Sequence, residues 1–319
     1  MENLKQNLYM KHELRFNEAG KFKILMISDI QETCNYNKLT ENGIITLLER
    51  EKPDLVVLGG DNVNGHKLKT IEELREYVKI MARPMEERRI PWAHVWGNHD
   101  HDTGIDENLQ QKTFEDMPYC VSKTCGDIRG QSNFVLPIMA HDSDKIIFNV
   151  WGLDSGNLCP KGSMPENKIT PSSSIFGDSM FDRVEWYYRS SKELEDYNNA
   201  KIAGLMCIHI APVEILNTKY NRGACGTTGH SDEFFQLAPI NSGLFAACLE
   251  RGDVKAICSG HTHENDAEGK YMGISISNDG SIGYGAYGVN ERRCGRVFEI
   301  SESDPFNINT RISYVSFKE

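Results

Sequence analysis

WAHVWGNHD, Trp92–Asp100, is the stretch whose reading decides the fold. A short apolar run, too short for a helix, breaks abruptly into glycine, amide, imidazole and carboxylate. Two earlier stretches share the design. FKILMISDIQ (Phe22–Gln31) runs from Phe22–Ser28 into Asp29, and DLVVLGGDN (Asp54–Asn62) runs from Asp54–Leu58 into Gly59, Gly60 and Asp61. Apolar runs of this length fit strands buried on both faces. Lys38–Glu51 and Thr70–Arg89 lie between them with helical apolar spacing and many charges. Strand alternating with helix predicts right-handed crossovers and parallel strands.

The back half repeats the pattern. Ile202–Ile208 ends at His209, and Val254–Cys258 ends at Ser259, Gly260, His261, Thr262 and His263, with a helical Ser242–Arg251 between. Asn133–Pro137 and Ile146–Leu153 read as further strands. After His263 come Gly273–Ser277, Gly295–Ser301 and Arg311–Phe317, short strands between Gly-rich turns that are expected to pair antiparallel. The expected architecture is α/β: two mixed sheets face to face with helices outside, an αββα sandwich, in one domain over residues 1–319. Asp102–Gly130, Asp154–Phe176 and Ala211–Pro239 read as loops around its functional end.

Composition narrows the function. The 319 residues carry 35 basic and 46 acidic side chains, a net −11. Duplex affinity is built from Lys and Arg on phosphates, so general nucleic-acid binding is excluded. No apolar run approaches membrane-spanning length and the N-terminus has no apolar leader, so no membrane partner is expected. The nine cysteines are scattered, without CxxC pairs. They read as reduced thiols of a cytoplasmic protein, with Cys258 buried in its strand.

Polar residues after strand ends converge on one crevice in α/β sheets. Here they are Asp29, Gln31, Asp61, Asn98, His99, Asp100, His209, His261 and His263. Seven of them, all but His99 and Asp100, suit a divalent ion through carboxylate, amide oxygen or imidazole. Seven exceed the needs of one ion and suffice for two that share a carboxylate. Mixed nitrogen and oxygen donors without thiolate favour Mn, Fe or Zn. Two ions roughly 3.5–4 Å apart suit in-line displacement at phosphorus.

Asp29-Ile30-Gln31, Gly60-Asp61-Asn62, Gly97-Asn98-His99-Asp100, His209 and Gly260-His261-Thr262-His263 resemble, in order, the five blocks of the calcineurin-like metallophosphoesterases. Asn265-Asp266, Tyr271, Gly273-Ile274 and Gly283-Tyr284-Gly285 are similar to the tail of a subgroup related to purple acid phosphatases. The resemblance implies a dinuclear phosphoesterase in which a metal-bridging hydroxide attacks a phosphate ester. Asp29 and His263 would hold one metal, Asn98, His209 and His261 the other, and Asp61 both. His99 would serve the leaving oxygen, with Asp100 orienting its ring. Gln31 stands where the family usually has histidine, which weakens the first site and leans it towards Mn or Mg. Manganese-dependent ADP-ribose and CDP-alcohol diphosphatases share that glutamine, so nucleotide-diphosphate hydrolysis is a second expectation. A catalytically silent scaffold of the same shape is a third. Asn62-Val63-Asn64 lacks the tyrosine that colours purple enzymes.

Other polar residues have plainer readings. His94 is expected in the core and Ser179 at the N-cap of a helix beginning near Met180. His101 and Asp102 belong either to the site or to a solvated loop. His230 could reach substrate from its Gly-rich loop. Tyr284 and Tyr287 either line the pocket or pack a turn.

Overall fold

Strands buried on both sides must alternate their side chains between two layers, and that alternation builds the molecule. The structure, a computed structural model, describes residues 11–125, 128–157, 180–238 and 240–315. Its first half runs β1 (Leu14–Arg15), β2 (Lys21–Ile27), α1 (Lys38–Glu51), β3 (Leu55–Gly59), α2 (Ile71–Arg88), β4 (Trp92–Val95), α3 (Glu107–Glu115), β5 (Phe134–Met139) and β6 (Ile146–Leu153). The second runs α4 (Phe181–Asn198), β7 (Ala203–Ile208), α5 (Ile215–Tyr220), α6 (Arg222–Cys225), α7 (Leu244–Arg251), β8 (Val254–Ser259), β9 (Glu268–Tyr271), β10 (Ile274–Asn278), β11 (Cys294–Ser301) and β12 (Asp304–Tyr314).

The strands form a seven-stranded sheet, β1-β5-β6-β7-β8-β10-β9, and a five-stranded sheet, β12-β11-β2-β3-β4. Ile24, Met26, Leu55 and Val57 point between the sheets, where they join Phe148, Val150, Leu205, Cys207, Ala256 and Cys258 in one core. Their neighbours Leu25, Ile27, Val56 and Leu58 point outward under α1 and α2, against Ile44, Leu47, Leu74 and Val78. Met206, Ile208 and Ile257 do the same on the far face, under Trp186 and Tyr187 of α4 and Phe245 of α7. The architecture is therefore the expected helix–sheet–sheet–helix sandwich. The β2-β3-β4 and β6-β7-β8-β10 runs are parallel. Their C-terminal ends present five loops to one rim.

Several expectations needed correction. β10 is not simply antiparallel: it runs parallel to β8 and antiparallel to β9. β12 starts at Asp304, earlier than expected, because it is a sheet-edge strand with mostly exposed polar residues and no apolar run to mark it. Asp102–Gly130 contains α3, whose few apolar residues hid it; Asp106 caps it by accepting a hydrogen bond from Leu109 N. Ala211–Pro239 contains α5 and α6. α4 has Met180 at its cap position, with its N–H donating to Ser242 Oγ at 2.8 Å. Ser179, the stretch 158–179 and residues 316–317 of the last predicted strand lie outside the described residues.

Candidate metal centre

Asp29 follows β2, Asp61 follows β3 and Asn98 follows β4, all from the five-stranded sheet. His209 follows β7, and His261 and His263 follow β8, from the other. Asp29, Gln31, Asp61 and His261 all have positive φ, at 56°, 45°, 49° and 70°. Left-handed backbone is costly for residues with a Cβ and persists where surrounding structure enforces it. Here it turns each side chain inward at its strand end. Gly97 is required for a related reason: a Cβ there would collide with Asp61 Oδ1 and with its backbone nitrogen.

All seven ligand-type residues are buried. Asp61, His209 and His261 bring ligand atoms within 4.8 Å of one another, and so do Asp29, Asp61 and His263. Asp61 belongs to both groups. His209 Nε2 lies 3.3 Å from Asp61 Oδ2, and His263 Nε2 lies 3.1 Å from Asp29 Oδ1. The other ring nitrogens are spoken for: His209 Nδ1 donates to Gly59 O at 2.9 Å and His263 Nδ1 to Tyr287 O at 2.8 Å. Backbone anchoring of this kind fixes the tautomer and leaves Nε2 to face an ion.

Buried polar atoms ordinarily find partners. Asp29 Oδ1, Asn98 Oδ1 and His209 Nε2 have no hydrogen-bond partner. Without an ion, the histidines supply the balancing charge. Burial alone would lower His209, but Asp61 and Asp29 raise it to about 10. Burial would raise Asp61, yet His209 holds it far below its ordinary value. His261 is pushed down to about 3 by burial and His209, so it stays neutral. Imidazole nitrogens, carboxylates and an amide oxygen gathered in one buried cluster fit divalent ions, whose binding would displace the His209 proton.

Gln31 is positioned differently from its expected role. Its Nε2 donates to Asp61 Oδ2 at 2.8 Å and lies 3.4 Å from His263 Nε2, so the nitrogen end faces the cluster. Ligation through oxygen would require turning the amide over.

His99 is half-buried, with its N–H donating to Asp61 Oδ1 at 2.7 Å. The residue on its ring is Asp102, at 2.8 Å from Nδ1, and not Asp100. Asp100 instead accepts from the backbone N–H groups of Gly97, Asn62 and Val63, which ties two of the loops together. The expected orienting role of Asp100 is thus corrected: its carboxylate is taken up by the loop turn and cannot reach the ring. Burial and Asp61 raise Asp100 to about 7. Burial would lower His99, but Asp102 and Asp61 prevail and raise it.

Asp279 and Glu233 were missed in the sequence, whereas Tyr287 had two readings there. Asp279, just past β10, sits 2.7 Å from Ser28 Oγ, which donates to Asp29 Oδ2 at 2.6 Å. Burial and Asp29 push Asp279 up to about 8. Its place after a strand end was the available clue. Tyr287 stacks on His263 at 3.9 Å and donates to Glu233 Oε1 at 2.6 Å. Tyr284 packs under Arg293 instead. His230 turns to Asp266, at 3.1 Å, rather than into the cluster. His94 is a core histidine, between Gln111 and Ser122.

Two facing sheets whose parallel strand ends converge on a paired carboxylate–imidazole cluster define a class of metal-site hydrolase scaffold. The pattern of the calcineurin-like phosphoesterases matches residues 22–265, and the chain belongs to that family. It is 29% identical to a protein named probable inactive purple acid phosphatase 14 from Arabidopsis thaliana, over 91% of this chain and 77% of that one. It is 26% identical to the phosphatase DCR2 of Saccharomyces cerevisiae, covering 79% of this chain and 46% of the yeast protein. A dimetal phosphatase from Danio rerio shares the fold at a TM-score of 0.59 and 13% identity, over 92% of this chain and 99% of that one. Among the described residues, no helix is long and apolar enough to cross a membrane.

Proposed function

We propose that this chain is a metal-dependent phosphoesterase whose single domain, residues 1–319, holds two ions between its sheets. The observation that carries the reading is the convergence of buried carboxylate, amide and imidazole groups around a shared Asp61. Asp29 and His263 would hold one ion, Asn98, His209 and His261 the other, and Asp61 both. When bound, Mn, Fe or Zn would activate water and neutralise charge gathering on the phosphoryl oxygens. The protein's own part is orientation and proton supply. Asp102 aligns the His99 ring and keeps it protonated, so His99 can give a proton to the departing oxygen. Asp100 holds the loops that carry Asn98 and Asp61 together. The eight described cysteines are all free, which supports a reducing compartment such as the cytoplasm.

The test is hydrolysis of bis- and mono-p-nitrophenyl phosphate by metal-free protein reloaded with Mn, with metal content measured alongside. Two bound equivalents and metal-dependent turnover support the reading. Two equivalents with no turnover on any ester would favour the silent scaffold, the alternative that the word "inactive" in the Arabidopsis relative's name raises. Gln31 keeps nucleotide-diphosphate hydrolysis as the second enzymatic reading.

A further inference from the structure

A hollow of about 340 Å³ opens beside the metal cluster, lined among others by Gln31, Glu32, Asn35, Tyr36, Asn64 and Lys67. It lies between the loops that follow β2 and β3, which are tied together by the Asn64 N–H donating to Glu32 O at 3.0 Å. Gln31 is common to hollow and cluster, since its amide also donates to Asp61. The second loop turns Asn64 and Lys67 towards the hollow and His66 towards Asp102, at 3.2 Å. His99 therefore sits just across that loop from the hollow.

The walls are built rather than accidental. Glu32 is 5% exposed, and its Oε1 accepts from Thr40 Oγ1 at 2.7 Å and Gly285 N at 2.9 Å. A Cβ on Gly285 would stand 2.6 Å from Glu32 Cδ and force that carboxylate to shift. The Tyr36 ring is packed against Tyr77 at 6.0 Å, while its hydroxyl is shielded from water and has no hydrogen-bond partner.

The chemistry of the lining selects its occupant. Carboxylate, amide, ammonium and phenol groups dominate, so hydroxyl groups of a ligand would find both donors and acceptors. Tyr36 is the one aromatic residue in this lining, so a nucleobase would find little apolar surface to stack on. The volume sits at the small end of ligand sites, roughly 300–1,000 Å³. It has room for a sugar or polyol.

We propose that this hollow is the alcohol subsite and that it takes the polyhydroxy portion, a sugar or polyol, of a phosphomonoester whose phosphoryl group lies at the metal cluster. The inference rests on the phosphoesterase reading and names its substrate class. In the hydrolysis, water adds its oxygen to phosphorus as the phosphorus–alcohol oxygen bond breaks. The alcohol leaves with a proton from His99, and inorganic phosphate remains.

The experiment compares kcat/KM of the Mn-loaded enzyme for glucose 6-phosphate, a nucleoside monophosphate and p-nitrophenyl phosphate, in wild type, Asn64→Ala and Lys67→Met. We expect the sugar ester to exceed the nucleotide by at least about tenfold, and each variant to cut the sugar-to-nitrophenyl ratio about three- to tenfold, as loss of one hydrogen bond does. A preference for the nucleotide, or a ratio unmoved in both variants, overturns the proposal. If no ester turns over, the phosphoesterase reading fails, and calorimetry with glucose 6-phosphate decides the hollow separately. Binding by wild type that weakens in both variants supports the subsite, and absence of binding overturns it.

Discussion

Two histidine–aspartate clusters both draw a member from the loop after β4, Asn98 for one and His101 for the other, and they differ in how their polar atoms are satisfied. His101 is nearly buried, with Nδ1 on Glu107 at 2.9 Å and Nε2 on Asp154 at 3.1 Å. Asp154 also accepts from Gln131 N and Gly156 N. Nothing in that pair is left over. In the central cluster, Asp29 Oδ1, Asn98 Oδ1 and His209 Nε2 lack hydrogen-bond partners although they are buried and close to one another. Both clusters are ionic and buried, so neither charge nor burial separates them. Unmet bonding capacity does: the first pair holds the structure together, and the second is arranged for a ligand that the chain does not itself supply.

The comparison can be broken most directly at Asp61. Asp61→Asn removes the carboxylate shared by both groups, so activity should vanish and both ions should be lost. Metal analysis finding two ions still bound would overturn the bridging assignment.

The next effect separates proton supply from metal binding. His99→Ala should retain both ions and lower turnover on alkyl esters by about 10²–10⁴, with a smaller loss on nitrophenyl esters, whose leaving group needs little protonation. Asp102→Asn should follow the same pattern more weakly. Metal loss in His99→Ala would place the ring in the wrong role.

The satisfied pair should answer in stability. Burial alone would lower His101, but Asp154 and Glu107 raise it from 6.5 to about 10. Its folded value exceeds its unfolded value, so its contribution is complete below about pH 6.5 and fades as pH rises through about 10. Asp154 is lowered despite its burial, chiefly by His101, so its contribution fades instead at acid pH, below its ordinary 3.8. His101→Gln should therefore cost most between about pH 4 and 6.5, on the order of 3–5 kcal/mol as for a broken buried pair. Thermal melts across pH would show the gap to wild type closing above pH 10, with metal content unchanged. A gap that stays constant would mean that His101 is uncharged in the folded protein.

The smallest effect is expected at Gln31. Gln31→His replaces an amide that now donates to Asp61 with an imidazole that binds borderline ions more strongly. More metal should survive dialysis, with preference moving from Mn towards Zn or Fe. Unchanged retention and preference would place position 31 outside the metal shell.

Much of this was legible from one dimension. Unbroken apolar runs ending in polar residues marked the nine strands from β2 to β8 and at β10 and β11, with small shifts at their ends, because a strand buried on both faces has no freedom to be polar. Short or solvent-facing elements were not marked: β1 and β9 are two and four residues long, and α3 buries two glutamines with its one phenylalanine. The same limit applied to Asp100 and Asp102. Both are aspartates in one loop, and only the direction of backbone N–H groups from Gly97, Asn62 and Val63 sends Asp100 into the turn.

The sequence by itself determined the layered architecture and the identities of the residues at its functional rim, since burial pattern and strand-end chemistry are local properties of the chain. The tertiary structure decided which of those residues touch. Asp279 reaches Ser28 across 251 positions, Tyr287 covers His263, and Gly285 closes on Glu32 across 253. Such contacts depend on how separate loops fold over a common edge, and no local pattern encodes a distance between segments that meet only when two sheets pack.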